Sequence, residues 1–332
     1  MKKGKASESV LKRSVFKYIS IPGTVKKGAA IGSDCAFLEW EEEKRAEIVN
    51  KALAVSTQTV TFPVTDAATL AIYASINNLA AGGSKAEAVT LAITLPEAEE
   101  ESRLKELMKQ AQEVCKALNI SIVGGHTEAV PQVHGTIVTA TALGRTLPGE
   151  FIRGPKEGLD VVMTKWAGLE GTMLLAGEKE EELLTRYPMR ILSEAKGLKK
   201  YLPVIPEAAI ALKSGVYTMH DVRGGGVFGA LWELSRSMNV GLTIDLKKIP
   251  MKQETIEICE FYELNPYELL SGGSLLIAVK EGEKLVDELA KENIPAAVIG
   301  KTTGGNDKVL LSEDEVRFLE PAKPDELYKI LF

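Results

Sequence analysis

From Lys51 onward, short apolar runs that alternate inward and outward positions, such as "KALAVSTQTVTFP", exchange places with stretches whose apolar residues recur every three or four positions. Period-two runs bounded by glycine and proline predict strands, and a 3.6-residue period predicts amphipathic helices, so the chain reads as α/β or α+β. The clearest helix is "PEAEEESRLKELMKQAQEVCKALN", which sets Leu104, Leu107, Met108, Ala111, Val114, Cys115 and Leu118 along one face. Its acids lie in the first turns and its lysines later, as the helix dipole favours. Beyond it the pattern predicts a strand at "ISIV", a polar glycine turn at "GGHTEAVPQVHG" and another strand at "TIVTATALG".

"RTLPGEFIRGPKEG" has the proline, glycine and charge density of a linker or exposed turn. It places a boundary near residue 150, dividing the chain into domains at 1–150 and 151–332, each long enough to bury a core. The second half predicts a strand at "LDVVMTKWAG", helices through about Ser214, a strand at "VYTMHDV", a glycine run, and a helix "VFGALWELSRSMN" capped by Gly241. Strands follow at "LTIDL", "SLLIAV" and "AAVIGKT"; "GEKLVDELAKEN" predicts an amphipathic helix and "KPDELYKILF" a short docking helix.

Composition narrows the function. A chain that is 45% hydrophobic and 26% charged, with a formal net charge of -6, is ordinary for a globular protein and argues against nucleic-acid binding as its main task. No run approaches the roughly 18 apolar residues of a membrane span, and the opening "MKKGKASESVLKRSVFKYIS" lacks a signal-peptide core, so the chain reads as cytoplasmic. Cys35, Cys115 and Cys259 are odd in number and widely spaced, which indicates neither a disulfide framework nor a zinc cluster.

Four stretches interrupt the apolar pattern where packing alone does not require it. In "IGSDCAFLEW", Asp34 is a carboxylate suited to a phosphate-bridging Mg²⁺, or a turn aspartate. In "GGHTEAVPQVHG", Gly124 and Gly125 allow close backbone approach to a ligand, and His126, Glu128 and His134 are either solvated polar groups or ligands for a transition metal. In "HDVRGGGVFGALWEL", Gly224, Gly225 and Gly226 precede a helix whose first amides suit an anion, with Asp221 and Arg223 beside them. "NPYELLSGGSLLIAV" carries a glycine turn at Ser271–Ser274 before a buried strand.

Taken in order, these stretches resemble the PurM-like superfamily of aminoimidazole ribonucleotide (AIR) synthetase, selenophosphate synthetase, thiamine-monophosphate kinase and the hydrogenase-maturation protein HypE. "GSDCAF" resembles its Gly-Asp-Asp-Ala-Ala stretch, "STQTVTFP" its Thr-Asp strand, and "INNLAAGGSKAEAVTLAITLP" its Asn-Asp-Leu-Ala segment. "GGHTE" resembles its Gly-Gly-Asp/Glu-Thr, "HDVRGGGVFGALWEL" its Asp-x-Thr-Arg-Gly-Gly turn, and "LLSGGSLLIAV" its Ser-Ser-Gly-Thr-Leu-Leu. The length and the "RGGGVFGALWEL" turn are most similar to HypE.

The resemblance implies a two-domain α/β (α+β) fold. It also implies N-terminal sheets that pair across a homodimer into a barrel, and an ATP site in which acids of the first motifs hold Mg²⁺. It places Asp34, Gln58 and Asn78 at metal positions, with Asn77 at the family asparagine and His126 and Glu128 in the catalytic acid region. Gly124, Gly125, Asp221, Arg223 and Gly224, Gly225 and Gly226 fall in cofactor-binding turns. Ser33, Gln58, Asn78 and His126 stand where the family carries acids, so Mg·ATP is expected to bind weakly or differently. No terminal cysteine follows "ELYKILF", so the acceptor thiol of standard HypE chemistry is missing. Two functional classes remain open. One is an ATP-dependent enzyme that activates a small substrate by phosphoryl transfer, with a maturation protein as a further partner. The other is a paralogue that binds a nucleotide, metabolite or partner without turnover. An altered site around His126, His134 and Glu128 is a third possibility.

Overall fold

The computed structural model describes residues 8–16, 25–27, 30–38, 52–147, 151–313 and 315–332. A short helix α1 (Glu8–Ser14) precedes a sheet built from β1 (Val25–Lys27), β2 (Ala36–Leu38), β3 (Leu53–Val60), β4 (Ser84–Pro96), β5 (Ser121–Val130) and β6 (Ile137–Thr146). Helices α2 (Ala67–Ala81) and α3 (Glu101–Leu118) accompany it, and the strand order is β1-β2-β3-β6-β4-β5. Only β4 and β5 pair in parallel. A parallel pair requires a crossover, and α3 supplies it, burying Leu107, Ala111, Val114 and Cys115. Met108, assigned to the same stripe from the sequence, is exposed.

The polar segment after "ISIV" differs from its sequence reading. β5 continues through "GGHTEAV" to Val130, and only residues 131–136 turn. Glycine makes this continuation possible: a Cβ on Gly125 would lie 1.8 Å from the Leu91 carbonyl of β4, next to a register irregularity at Val89/Thr90. A strand here needs close backbone approach, which is the same property that glycine contributes to a turn.

The second sheet comprises β7 (Asp160–Thr164), β8 (Val216–Val222), β9 (Gly241–Asp245), β10 (Ser274–Val279), β11 (Ala296–Thr303), β12 (Lys308–Ser312) and β13 (Glu315–Phe318). Its order is β13-β12-β9-β11-β7-β10-β8, with β9 and β12 parallel. Helices α4 (Leu169–Glu178), α5 (Glu180–Leu183), α6 (Met189–Lys196), α7 (Ile205–Lys213), α8 (Gly226–Met238), α9 (Gln253–Phe261) and α10 (Gly282–Lys291) complete this half. Every residue of β10 is buried, as an uninterrupted apolar run inside a covered sheet requires. Two sequence expectations shift. α8 ends on Asn239 in the left-handed region (φ 56°), while Gly241 opens β9, where a Cβ would meet Thr303 Oγ1 at 2.4 Å. The closing segment forms a single 3-10 turn, Glu326–Lys329, capped by Asp325. Among the described residues no helix is long and apolar enough to cross a membrane.

The two halves share α2. All its residues except Tyr73 are buried, because its alanines admit close neighbours on every side. Ile72, Ile76 and Leu79 join a core with Leu169, Leu174 and Leu198 of the second half, and Ala80 and Ala81 pack with Val204, Ala208 and Ala211. Asn77 fastens this junction: its Nδ2 donates to Leu202 O at 2.8 Å and its Oδ1 accepts from Val204 N at 3.1 Å. Buried Lys165 holds the same backbone, donating to Tyr201 O and Pro203 O at 2.8 and 2.7 Å while paired with Glu207. Burial pulls the Lys165 ammonium down, against the opposing pull of Glu207. Asn77→Ala leaves two buried backbone groups unpaired, so we expect a loss of about 2 kcal/mol, read as a lower urea midpoint. An unchanged midpoint would show that the bridge contributes nothing.

Candidate functional site

Glycines seat the segment that carries Asp34. Gly32 has φ +68°, and a Cβ there would lie 2.4 Å from Glu233 O on α8. At the other end, a Cβ on Gly82 would lie 2.2 Å from Cys35 Sγ. The segment is thereby wedged between α8 and the end of α2, with Ser56 Oγ of β3 donating to Asp34 O at 3.1 Å.

Asp34 meets His220, a residue of β8 whose ring is almost fully buried. His220 Nδ1 lies 2.9 Å from the Asp34 carboxylate, and Nε2 lies 3.0 Å from Glu233 Oε2. A carboxylate faces each ring nitrogen, so both nitrogens donate and the ring is assigned as imidazolium. Burial opposes the charge, but Asp34 first and Glu233 after it outweigh burial and push the imidazole up to about 10.

Asp221, the next residue of β8, has both carboxyl oxygens buried without a hydrogen-bond partner. Burial, reinforced by the Asp34 charge, raises its carboxyl well above the ordinary range, against the opposing pull of Arg223 and His220. Arg223 donates to Gln58 Oε1 of β3 at 3.2 Å and lies 3.5 Å from Glu170 Oε1 of α4. The glycine turn at Ser271–Ser274 makes room for this acid: a Cβ on Gly272 would lie 2.0 Å from Glu170 Oε2.

A cleft of about 520 Å³ gathers Asp34, Gln58, Asn78, Asp221 and Arg223 with Gly224 and Gly225. The volume is within the range of small-molecule sites. The other sequence candidates lie elsewhere. Asn77 stands behind the cleft, both its amide groups engaged by residues 202–204. Gly124, Gly125, His126 and Glu128 lie on exposed β5, separated from β3 by β6 and β4, roughly 14 Å at normal strand spacing. His126 Nε2 and Glu128 Oε2 are 3.6 Å apart and exposed. Among the described residues no three His, Cys, Asp or Glu side chains are arranged to hold a metal ion, and His134 sits apart in the turn 131–136.

Two expectations meet different geometry. Three amides at the helix start are already engaged: Gly225 N donates to Asp325 Oδ2 at 2.8 Å, Gly226 N to Arg223 O at 2.9 Å and Phe228 N to Tyr267 O at 3.1 Å. A built-in carboxylate thus stands where an anion was expected. Burial raises Asp325 to about 6 against the stabilising pull of three amides. The metal trio likewise does not fit Mg²⁺: Asp34 faces an imidazolium, Gln58 Oε1 faces a guanidinium, and Asn78 Nδ2 donates to Ser56 Oγ at 3.0 Å. A cation next to a ligand oxygen repels a second cation.

The sequence reading does not single out His220, Glu233, Glu170 or Ser56. One signal was available: "HD" is a polar pair at the end of the otherwise apolar strand "VYTMHDV".

The chain matches the AIR synthase related protein N-terminal domain over residues 32–146 and the C-terminal domain of the same family over residues 156–312. It belongs to the AIR synthase related family, with both PurM-like domains. It is 26% identical over 316 residues to a putative hydrogenase expression/formation protein of Methanocaldococcus jannaschii, covering 93% of this chain and 91% of that one. Among solved structures it is similar to a HypE–HypF complex (TM-score 0.70, 21% identity, 88% of this chain and 94% of that chain). It is similar as well to a HypE in complex with ATP (TM-score 0.66, 18% identity, 85% and 88%). These structural likenesses establish the two-domain fold.

The triad carries a pH signature. A free imidazole titrates near ~6.5. The folded state binds this proton more tightly, so the stability due to His220 is complete below that value and fades as pH rises through about 10. We expect His220→Gln to lose about 3 kcal/mol near neutrality, because two part-buried carboxylates lose their counter-ion. The gap from wild type should narrow towards the alkaline end in urea titrations; a gap independent of pH would contradict the ion triad.

Proposed function

We propose that the chain is a HypE-like, ATP-dependent enzyme whose cleft receives a polyphosphate and activates an oxygen of a small substrate by phosphoryl transfer. The observation that carries this reading is the convergence of Asp34, Asp221 and Arg223, from both halves of the chain, on one cleft. Family membership supports it, since the solved relatives of this fold include a HypE with ATP bound. Arg223 supplies charge for phosphate oxygens, and a fixed guanidinium stabilises the charge that spreads during transfer. Asp221, buried and without a partner, is the group left to meet a donor from the ligand. No step is assigned to Mg²⁺, because the expected trio does not present a site for it.

Domains 1–150 and 151–332 then serve as ATP and dimerisation domain and as C-terminal domain. β5, exposed and paired only to β4, is the edge across which a second copy's sheet completes a barrel. The likeness to a HypE crystallised with HypF supports a hydrogenase-maturation role with a partner protein.

A second reading, a paralogue that binds without turnover, is favoured by one observation: the Asp34 carboxylate is already committed to His220. Calorimetric titration with ATP, in EDTA and in Mg²⁺, followed by an assay for ADP, separates the two. We expect binding in EDTA, a gain of less than about tenfold from Mg²⁺, and about tenfold weaker binding in Arg223→Ala. ADP release supports the enzyme, and binding without release supports the paralogue. No binding at millimolar ATP would overturn the enzyme reading and leave a paralogue that binds a metabolite or partner.

A further inference from the structure

The cleft follows β3. At one end Ser56 touches Asp34 and Asn78, and two residues along Gln58 accepts from Arg223. β3 ends at Val60, and two residues beyond it the chain bends at Phe62. There the chemistry changes. The Phe62 ring lies 4.9 Å from Tyr328 at an interplanar angle of 40°, and Phe332 lies 5.8 Å from Phe62 and 5.4 Å from Tyr328. Phe62 and Tyr328 both line the cleft, with Leu11 of α1 as a further apolar wall. α1 is held there by an ion pair of Glu8 with Arg236 of α8 at 2.6 Å. Thr57 and Thr59 bond their hydroxyls to Thr141 and Thr139 of β6, each at 2.9 Å, on the strand face opposite Ser56 and Gln58.

A charged end and an aromatic end in one cavity match a ligand built the same way. Aromatic rings half-exposed to a cleft favour planar π-systems, and stacking tolerates different bases because every base has a π-face. A bare polyphosphate or a sugar phosphate would leave the aromatic end facing water.

We infer that Phe62 and Tyr328 form the platform on which the heteroaromatic ring of a nucleoside phosphate stacks, so that the ring as well as the phosphates selects the ligand. This rests on the reading above that the phosphates lie at Arg223.

The test compares ATP with inorganic tripolyphosphate by calorimetry on the full chain, in the wild type and in Phe62→Leu, which keeps apolar packing and removes the ring face. We expect ATP to bind about tenfold more tightly than tripolyphosphate in the wild type, since a base–aromatic stack is worth about that much. Phe62→Leu should bring the two to near parity while leaving tripolyphosphate affinity unchanged, a change of ratio that loss of packing alone does not produce. Tyr328→Leu is the second variant should Phe62→Leu fail to fold, with the same expected loss of preference. Equal affinities in the wild type, or a preference that survives both substitutions, would overturn the platform and leave the phosphate end standing. If neither ligand binds, the phosphate reading fails and the platform fails with it.

Discussion

The cleft depends on one cation held between two carboxylates. His220 ties the Asp34 segment of the first half to β8 and to Glu233 of α8, so three separate stretches of chain meet at one ring. Its placement needs Gly32, since any side chain there would collide with the α8 backbone. The charge balance around it explains the neighbours. Asp34 and Glu233 face His220, Glu170 lies beside Arg223, and the Asp221 oxygens hydrogen-bond to neither cation. Burial, reinforced by the Asp34 charge, pushes the unpartnered Asp221 well above the ordinary carboxyl range. A buried acid in this condition takes up a proton more readily than it holds a charge.

The same logic accounts for the amides at Gln58 and Asn78. A carboxylate only accepts hydrogen bonds, whereas an amide accepts through oxygen and donates through nitrogen. Gln58 uses its oxygen towards Arg223, and Asn78 uses its nitrogen towards Ser56. Both side chains knit the wall of the cleft. Arg223, positioned by Gln58 and Glu170, carries positive charge available to an anionic ligand.

The architecture was legible wherever a single periodicity dominates. The α3 stripe apart from Met108, the buried run of β10 and the strand "VYTMHDV" read correctly, because one buried face or two impose their own spacing. Reading failed where glycine has two meanings. Gly125 permits close strand pairing rather than a turn, and Gly241 opens a strand rather than capping a helix. The site was legible in its parts but not in its pairing. Asp34 and Arg223 stand out by motif, but the partner of Asp34 lies 186 residues away, and no local pattern encodes that contact. Asn77 shows the converse: motif resemblance places it on the cofactor, whereas its two hydrogen bonds join the halves of the chain.

The most direct measurement is the protonation state of His220, read from the ¹H–¹⁵N correlations of imidazole-labelled protein across a pH titration. The chain has three histidines, and His126 and His134 are exposed, so the three are readily told apart. The account predicts that His220 remains doubly protonated through neutrality and releases its proton only as pH rises through about 10. A single-protonated ring at neutral pH, titrating near ~6.5 like a free imidazole, would contradict the ion triad and the closed metal position built on it.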